Sequence, residues 1–272
     1  MPLSLVATAL EAQDNSAPVI NQAFYLQQAD NALRDGRLTQ AGQMISWLEQ
    51  NGDGISSDDV ALLRTEHAIA GMDVAAAAAA LSAVKDSARN ICRLEPAKAW
   101  VAANRESFDD AIIALARAAR SCPDDASIWN MLGLVLIRKG ETEGAGDAFV
   151  RALALAPEQV EIRNNYALAL LQRGDIEHAS EQLAVAASNA PGNRLILANL
   201  DFVTGMKGYT PERRPQDNDV EWSARLINIA KGAKLAARMP QAKALFSQAL
   251  LTLDHFDEAV WTEITLPNGI VP

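Results

Sequence analysis

The chain has 272 residues, of which 51 are alanine and only 5% aromatic, and it carries a formal charge of −10. Alanine has the highest helix propensity and lets helices approach closely, and no alternating run of β-branched and aromatic residues is present, so the composition points to packed helices and away from a sandwich or barrel. The acidic surface repels phosphate backbones, which speaks against general nucleic-acid binding, and no stretch of 18 apolar residues is available for a membrane-spanning helix.

In chain order, residues 1–21 come first. They hold an apolar stretch and the small-x-small triplet Ala7-Thr8-Ala9, with no basic residue ahead of it. As written this is a poor signal peptide, and a start upstream would complete one. The segment is expected to be disordered or processed, and no cysteine near it offers a lipid-attachment site. A first helix pair is expected from about Gln22, with Ala29, Gly36 and Ala41 at its close contacts. The string Asn51-Gly52-Asp53-Gly54-Ile55 has part of a calcium loop but not the ligand series ending in glutamate, so a turn is expected there. A second pair starts near Ser57, with Gly71, Ala76 and Ala83, and the alanine run Ala75 to Ala80 reads as its second helix. Asp58 and Asp59, like Asp109 and Asp110 later, stand at helix starts where carboxylates offset the helix dipole. The third unit opens at Cys92 and carries Ala99, Ala111, Leu115, Ala118 and Pro123.

The unit Ala126 to Gln159 shows the period most clearly. Trp129, Leu132, Gly133, Leu136, Gly140, Ala145, Phe149, Ala152 and Pro157 stand at positions 4, 7, 8, 11, 15, 20, 24, 27 and 32 of a 34-residue repeat. Small residues at 8 and 20 let two antiparallel helices touch, large ones fill the gaps between them, and the proline closes the second helix. The pattern resembles the tetratricopeptide repeat (TPR), W-x2-L-G-x2-Y, then A-x3-F, then A and P, with Leu136 replacing the aromatic at position 11. The next unit follows with Tyr166, Ala167, Leu170, Gly174, Ala179, Leu183, Ala186 and Pro191. A further first helix, Arg194 to Met206, has no recognisable second helix behind it. Gly208 to Asp219, with two prolines and many charges, reads as an exposed loop. Val220 to Ala237 and Gln241 to Leu253 read as another pair, with Ala230, Ala242, Phe246 and Ala249 in repeat-like positions; Phe256 to Ile264 reads as a short terminal helix and Leu266 to Pro272 as extended or frayed. The expected architecture is all-α, a right-handed TPR superhelix of about six to seven helix pairs: an array over 22–207, a loop at 208–219, and a C-terminal pair with its cap over 220–272.

Resemblance to the TPR family implies that positions 2, 5, 9, 12 and 13 of each first helix line a concave groove that holds partner segments. Position 9 gives Trp100, Leu134, Leu168 and Phe202, position 12 adds Ile137 and Leu171, position 5 gives Asn130 and Asn164, and Arg138 stands at position 13. Apolar side chains exposed at a regular spacing mark a binding surface. The groove would take an amphipathic helix or an extended apolar segment, with Asn130, Asn164 and Arg138 fixing its orientation. Alternatively the chain's own C-terminal segment, with Phe256 and Trp261, fills that face. The carboxylate clamp of chaperone-binding TPR proteins needs lysine, arginine and asparagine where this sequence has mostly Leu, Ile, Trp and Ala, so that mode is not expected.

Between Trp222 and Leu253 lie Arg225, Lys231, Lys234, Arg238 and Lys243 with no acid. This local reversal of charge would suit an acidic partner, an anionic membrane surface, the acidic remainder of the molecule, or plain solvation of a helix face. Cys92 and Cys122 fall at positions 1 and 31 of one repeat, whose ends lie side by side in an antiparallel pair; a disulfide and two buried thiols both fit. His67, His178 and His255 have no second ligand at metal spacing and read as surface or packing residues, and no Walker, G-x-G-x-x-G or G-x-S-x-G motif supports an enzyme, a cofactor or a metal.

The stretch Asn164 to Pro191, followed by LILANLDFVTGMKG, is similar to the later repeats of TadD-type TPR proteins of bacterial tight-adherence pilus systems, over roughly residues 92–208. That resemblance implies an exported assembly factor for a pilus or secretion machine, in the periplasm or at the outer membrane, although the lipid-bearing cysteine of that type is missing here. The expectation is therefore a non-catalytic scaffold that binds a protein segment. A cytoplasmic regulatory or chaperone-like adaptor is the alternative.

Overall fold

The computed structural model describes residues 22–51, 56–85 and 90–265, which form fourteen α-helices and, among the described residues, no strand. The helices fall into two units, divided after Asp86. In the first, α1 (Gln22–Arg34), α2 (Leu38–Asn51), α3 (Ser57–Ala70) and α4 (Val74–Leu81) make two antiparallel pairs. Ala29, Ile45, Leu48, Val60 and Leu63 form their core, with the Tyr25 and Trp47 rings 4.6 Å apart at its edge. His67 is a packing residue: its Nε2 lies 3.0 Å from the Leu38 carbonyl oxygen, over Gly42, where a Cβ would approach the ring to 3.0 Å. The alanine run is helical, as expected, but α4 stops at Leu81 and leaves Ala83 in an exposed turn. Residues 1–21, Gly52 to Ile55 of the turn string and Leu266 to Pro272 lie outside the described residues.

The second unit holds α5 (Ile91–Asn104), α6 (Phe108–Ser121), α7 (Ala126–Lys139), α8 (Thr142–Leu155), α9 (Val160–Gln172), α10 (Ile176–Asn189), α11 (Arg194–Lys207), α12 (Asp219–Leu235), α13 (Met239–Thr252) and α14 (Glu258–Thr265). Each helix packs on its neighbour in sequence, and α5, α7 and α9 also pack on one another as successive first helices, which makes this an all-α TPR solenoid. Positions 8, 20, 24 and 27 do what the sequence pattern demands. A Cβ on Gly133 would come within 2.7 Å of the Phe149 ring, so only glycine lets that ring bury completely, and Ala145 and Ala152 are fully buried beside it. Position 4 is more varied. Trp129 donates its Nε1 proton to the Pro123 carbonyl at 3.0 Å, whereas the equivalent Glu95 is a buried carboxylate held by Lys98 at 2.8 Å and Arg117 at 3.4 Å. Burying that charge is tolerable only because two cations meet it.

Turns between the two helices of a pair require a left-handed residue at position 15. Gly140 and Gly174 supply it, Glu106 and Ala237 adopt the same conformation with φ of 62° and 57°, and Gly208 repeats it at the end of α11. In the α3–α4 turn it is Met72, not Gly71, that is left-handed.

The largest departure from a regular array follows α11. No second helix forms; α12 packs directly on α11, and the two run parallel, as two first helices do, with Arg225 beside Asp201 midway along both and Gln241 beyond α12 reaching Gly208 at their C-terminal ends. A Cβ on Gly205 would sit 1.8 Å from the Ile229 carbonyl oxygen, and one on Gly232 would sit 1.8 Å from that of Phe202. Two facing glycines thus allow near contact of the backbones. Residues 209–218 run back as an irregular strap in place of the missing helix, pinned by charge rather than left loose. Arg225 on α12 donates to Asp217 at 2.6 Å and to the Glu212 carbonyl at 3.1 Å, and reaches the buried Asp201 on α11 at 3.4 Å. Asn218 and Glu221 close the start of α12 with a reciprocal capping box.

Candidate protein-binding face

The expected inner residues all lie on first helices: Trp100 on α5, Leu134, Ile137 and Arg138 on α7, Leu168 and Leu171 on α9, and Phe202 on α11. They do not contribute equally to an open surface. Leu134 and Leu168 are each 39% exposed, the same value at the same repeat position, and Trp100 and Phe202 flank them half-buried. Ile137 packs into the α8–α9 core, and Leu171 and Phe202 pack into the next one, so position 12 is mostly spent on the fold. Other large apolar side chains are exposed on second helices, namely Ile113, Val150, Val185 and Leu251, but they stand at repeat positions 22, 25, 26 and 29 and make no ladder.

The asparagines are placed differently from the expectation. Asn164 is only 5% exposed, and its Oδ1 accepts from Asn199 Nδ2 at 2.7 Å; Asn130 Oδ1 accepts from Asn165 Nδ2 at 3.1 Å. Position 5 therefore bonds to position 6 of the following unit and ties first helix to first helix, which removes Asn164 from the ligand-facing set. The 35-residue spacing of these pairs was visible in the sequence and is the signal that reading position 5 alone misses. Arg138 lies over the Phe108 ring, 5.3 Å from its centroid, so its guanidinium is braced against the preceding second helix.

The rim is held by a second inter-repeat device. Lys139 pairs with Asp109 at 2.6 Å and with Glu141 at 2.7 Å, and Lys207 pairs with Glu177 at 2.7 Å, so position 14 meets position 18 of the preceding unit twice. The hydrogen bonds from Lys139 to Asp109 and then Glu141 raise its pKa to about 12.

The basic helix pair is largely answered from within. Arg225 meets Asp201 and Asp217, Lys234 pairs with Glu263 at 2.5 Å, and Arg238 Nε donates to the Met206 carbonyl at 3.4 Å. Burial pushes the Asp201 carboxyl above its ordinary pKa despite Arg225 and Arg214, whereas at Asp217 the same burial penalty is outweighed by hydrogen bonds from Arg225 and from the Arg214 backbone N–H, and the pKa falls. Of the residues expected to meet an acidic partner, Arg225, Lys234 and Arg238 are thus committed inside the molecule. Lys231 is not. The C-terminal segment does not fill the groove within the described residues: α14 packs on α13 through Val260, and Phe256 and Trp261 stay exposed.

Cys92 and Cys122 are joined as a disulfide with their Cα atoms 5.9 Å apart, tying the start of α5 to the end of α6. Pro96 lies within α5 and cannot donate to the Cys92 carbonyl four residues back, and Asn90 gives no side-chain cap, so the disulfide supports a turn that the backbone holds weakly. No helix among the described residues is long and apolar enough to cross a membrane.

The family model of the cytochrome c-type biogenesis protein H TPR domain matches residues 71–210, just over half of the chain. The chain belongs to this family. The matched span runs from Gly71, which ends α3, to Thr210, where the strap replaces the expected second helix. No curated protein matches the chain by sequence. Two solved structures show the same fold. TTC0263, a thermophilic TPR protein of Thermus thermophilus, is 20% identical with a TM-score of 0.55, over 67% of this chain and 98% of that one. The pilF protein of Pseudomonas aeruginosa is 16% identical with a TM-score of 0.53, over 84% of this chain and 89% of that one.

Proposed function

We propose that residues 87–272 form a non-catalytic module that seats an apolar or amphipathic segment of a partner protein along the first-helix ladder. The TPR fold is a protein-interaction scaffold, and the observation carrying the reading is the recurrence of an open leucine at one repeat position, Leu134 and Leu168, between Trp100 and Phe202. Family membership makes a protein of cytochrome c-type biogenesis the first partner to examine. An exported location fits the Cys92–Cys122 pairing, because disulfides persist in oxidising compartments. A pilus or secretion assembly is the second reading, favoured by the likeness of Asn164 to Pro191 to TadD-type repeats; a cytoplasmic adaptor would require the two cysteines to be reduced in the cell.

The test is affinity capture with the wild-type chain beside a variant carrying Trp100→Ala and Leu134→Glu. The variant is expected to keep its helical circular dichroism and to lose the captured partner. Capture undiminished by the double change would remove the ladder from the account, and the identity of the captured protein separates the two settings.

A further inference from the structure

Position 9 does not end at Phe202. In α12 and α13 the packing residues Ala230, Ala242, Phe246 and Ala249 are all buried to within 1% of completely, which sets the repeat register of that pair and puts Lys231 at position 9. Gly232, the next residue, lies against the Phe202 carbonyl, so Phe202 and Lys231 are successive rungs on helices in near backbone contact. Lys231 is exposed, and no hydrogen bond or ion pair reaches it among the described residues, while Arg225, Lys234 and Arg238 of the same pair are all engaged. The ladder therefore reads Trp100, Leu134, Leu168, Phe202, Lys231: four apolar rungs and then one free ammonium.

We infer that the ligand of this face is an amphipathic helix whose apolar stripe is followed, about one turn on, by an acidic side chain, and that Lys231 reads that carboxylate and fixes the direction in which the helix lies. This rests on the ladder reading above. An apolar stripe alone can slide or reverse along a row of leucines, whereas a single charge at one end makes one register and one polarity favourable. The chemistry differs from a carboxylate clamp, which surrounds a chain terminus with several polar groups; here one cation closes an otherwise apolar row.

The test uses the full-length protein and three fluorescent amphipathic peptides, acetylated and amidated, with the same leucine stripe and with Glu, Gln or Lys one turn beyond it. By anisotropy at low salt the Glu peptide should bind about tenfold more tightly than the Lys peptide, with Gln between them, and the difference should shrink as salt screens the charge. Lys231→Glu should invert the ranking, and Lys243→Glu, on the neighbouring second helix, should leave it unchanged. If all three peptides bind and Lys231→Glu does not alter their order, Lys231 is not the reader and the ladder stands without it. If none binds, or if Leu134→Glu with Leu168→Glu leaves binding intact, the ladder reading itself fails. A Gln peptide with a free C-terminus that matches the Glu peptide would transfer the role to a chain-terminal carboxylate and overturn the side-chain assignment.

Discussion

Gly205→Ala places a methyl group where the α11 and α12 backbones meet. The added Cβ would lie 1.8 Å from the Ile229 carbonyl oxygen and 2.9 Å from the Ala233 nitrogen, and ordinary contact begins at about 3.4 Å, so α11 must withdraw by roughly 1.6 Å. Neither obstacle is a side chain that can rotate away. Withdrawal also breaks the facing contact at Gly232 and stretches the reach of Arg225 to Asp201, already 3.4 Å. Overpacking a well-filled contact costs about 1–3 kcal/mol, and a backbone-to-backbone clash belongs at the upper end. Against this, alanine is favoured over glycine within a helix by up to about 1 kcal/mol. The packing term wins, and a net loss of about 2 kcal/mol is expected from denaturant unfolding followed by circular dichroism. Gly144→Ala is the matched control. Its Cβ would meet only Leu136 at 3.6 Å, an ordinary contact, so the propensity gain should appear alone. Equal stability of the two variants, or a more stable Gly205→Ala, would refute the claim that the glycine pair sets the α11–α12 spacing.

Replacing Cys92 and Cys122 by serine releases a loop of sequence separation 30, which corresponds to about 3.5 kcal/mol of lost chain constraint; hydrogen exchange should show the loosening first in α5 and α6, and two alkylatable thiols in protein taken directly from cells would contradict the bridge. Asn199→Ala leaves the buried Asn164 carbonyl oxygen without its donor and should cost about 1–3 kcal/mol in denaturant unfolding, more than Asn165→Ala at the less buried sister contact. The raised pKa of Asp201 means that the folded state holds this proton to higher pH than the unfolded chain does. Stability should therefore fall, relative to Asp201→Asn, as pH rises from the ordinary carboxylate range of about 4 towards the folded-state pKa; a difference that grows in favour of the wild type would reverse the sign and place the Arg225 attraction above the burial penalty.

The fold was legible because each packing position has a steric reason that shows in residue size. Gly133 beneath Phe149, and alanine wherever two helices touch, can be read without coordinates. The strap was half legible. Two prolines and a run of charges announce a break after Lys207, but that α12 would close on α11 depends on Gly205 and Gly232 facing each other across about 27 residues, a relation the 34-residue period conceals. The binding face was legible in its leucines and misleading in its polar residues. Asn164 stands at a ligand position in the repeat, yet the neighbouring unit offers Asn199 as a partner, and a buried amide takes the bond nearest to it. Arg225 belongs by sequence to a basic run without acids because its partners, Asp201 and Asp217, lie on α11 and in the strap ahead of that run.

Exposed apolar residues occur on both sides of the solenoid, so the claim that first helices carry the binding surface is tested most directly by position-specific photo-crosslinking. A photoreactive amino acid is placed in turn at Leu168, on the ladder, and at Val185, on the outer helix of the same repeat, both of which are exposed to a similar degree, 39% and 41%. With the Glu-ended amphipathic peptide as probe, the account predicts crosslinking from position 168 that unlabelled peptide competes away, and none from position 185. Saturable crosslinking from 185 with none from 168 would contradict it.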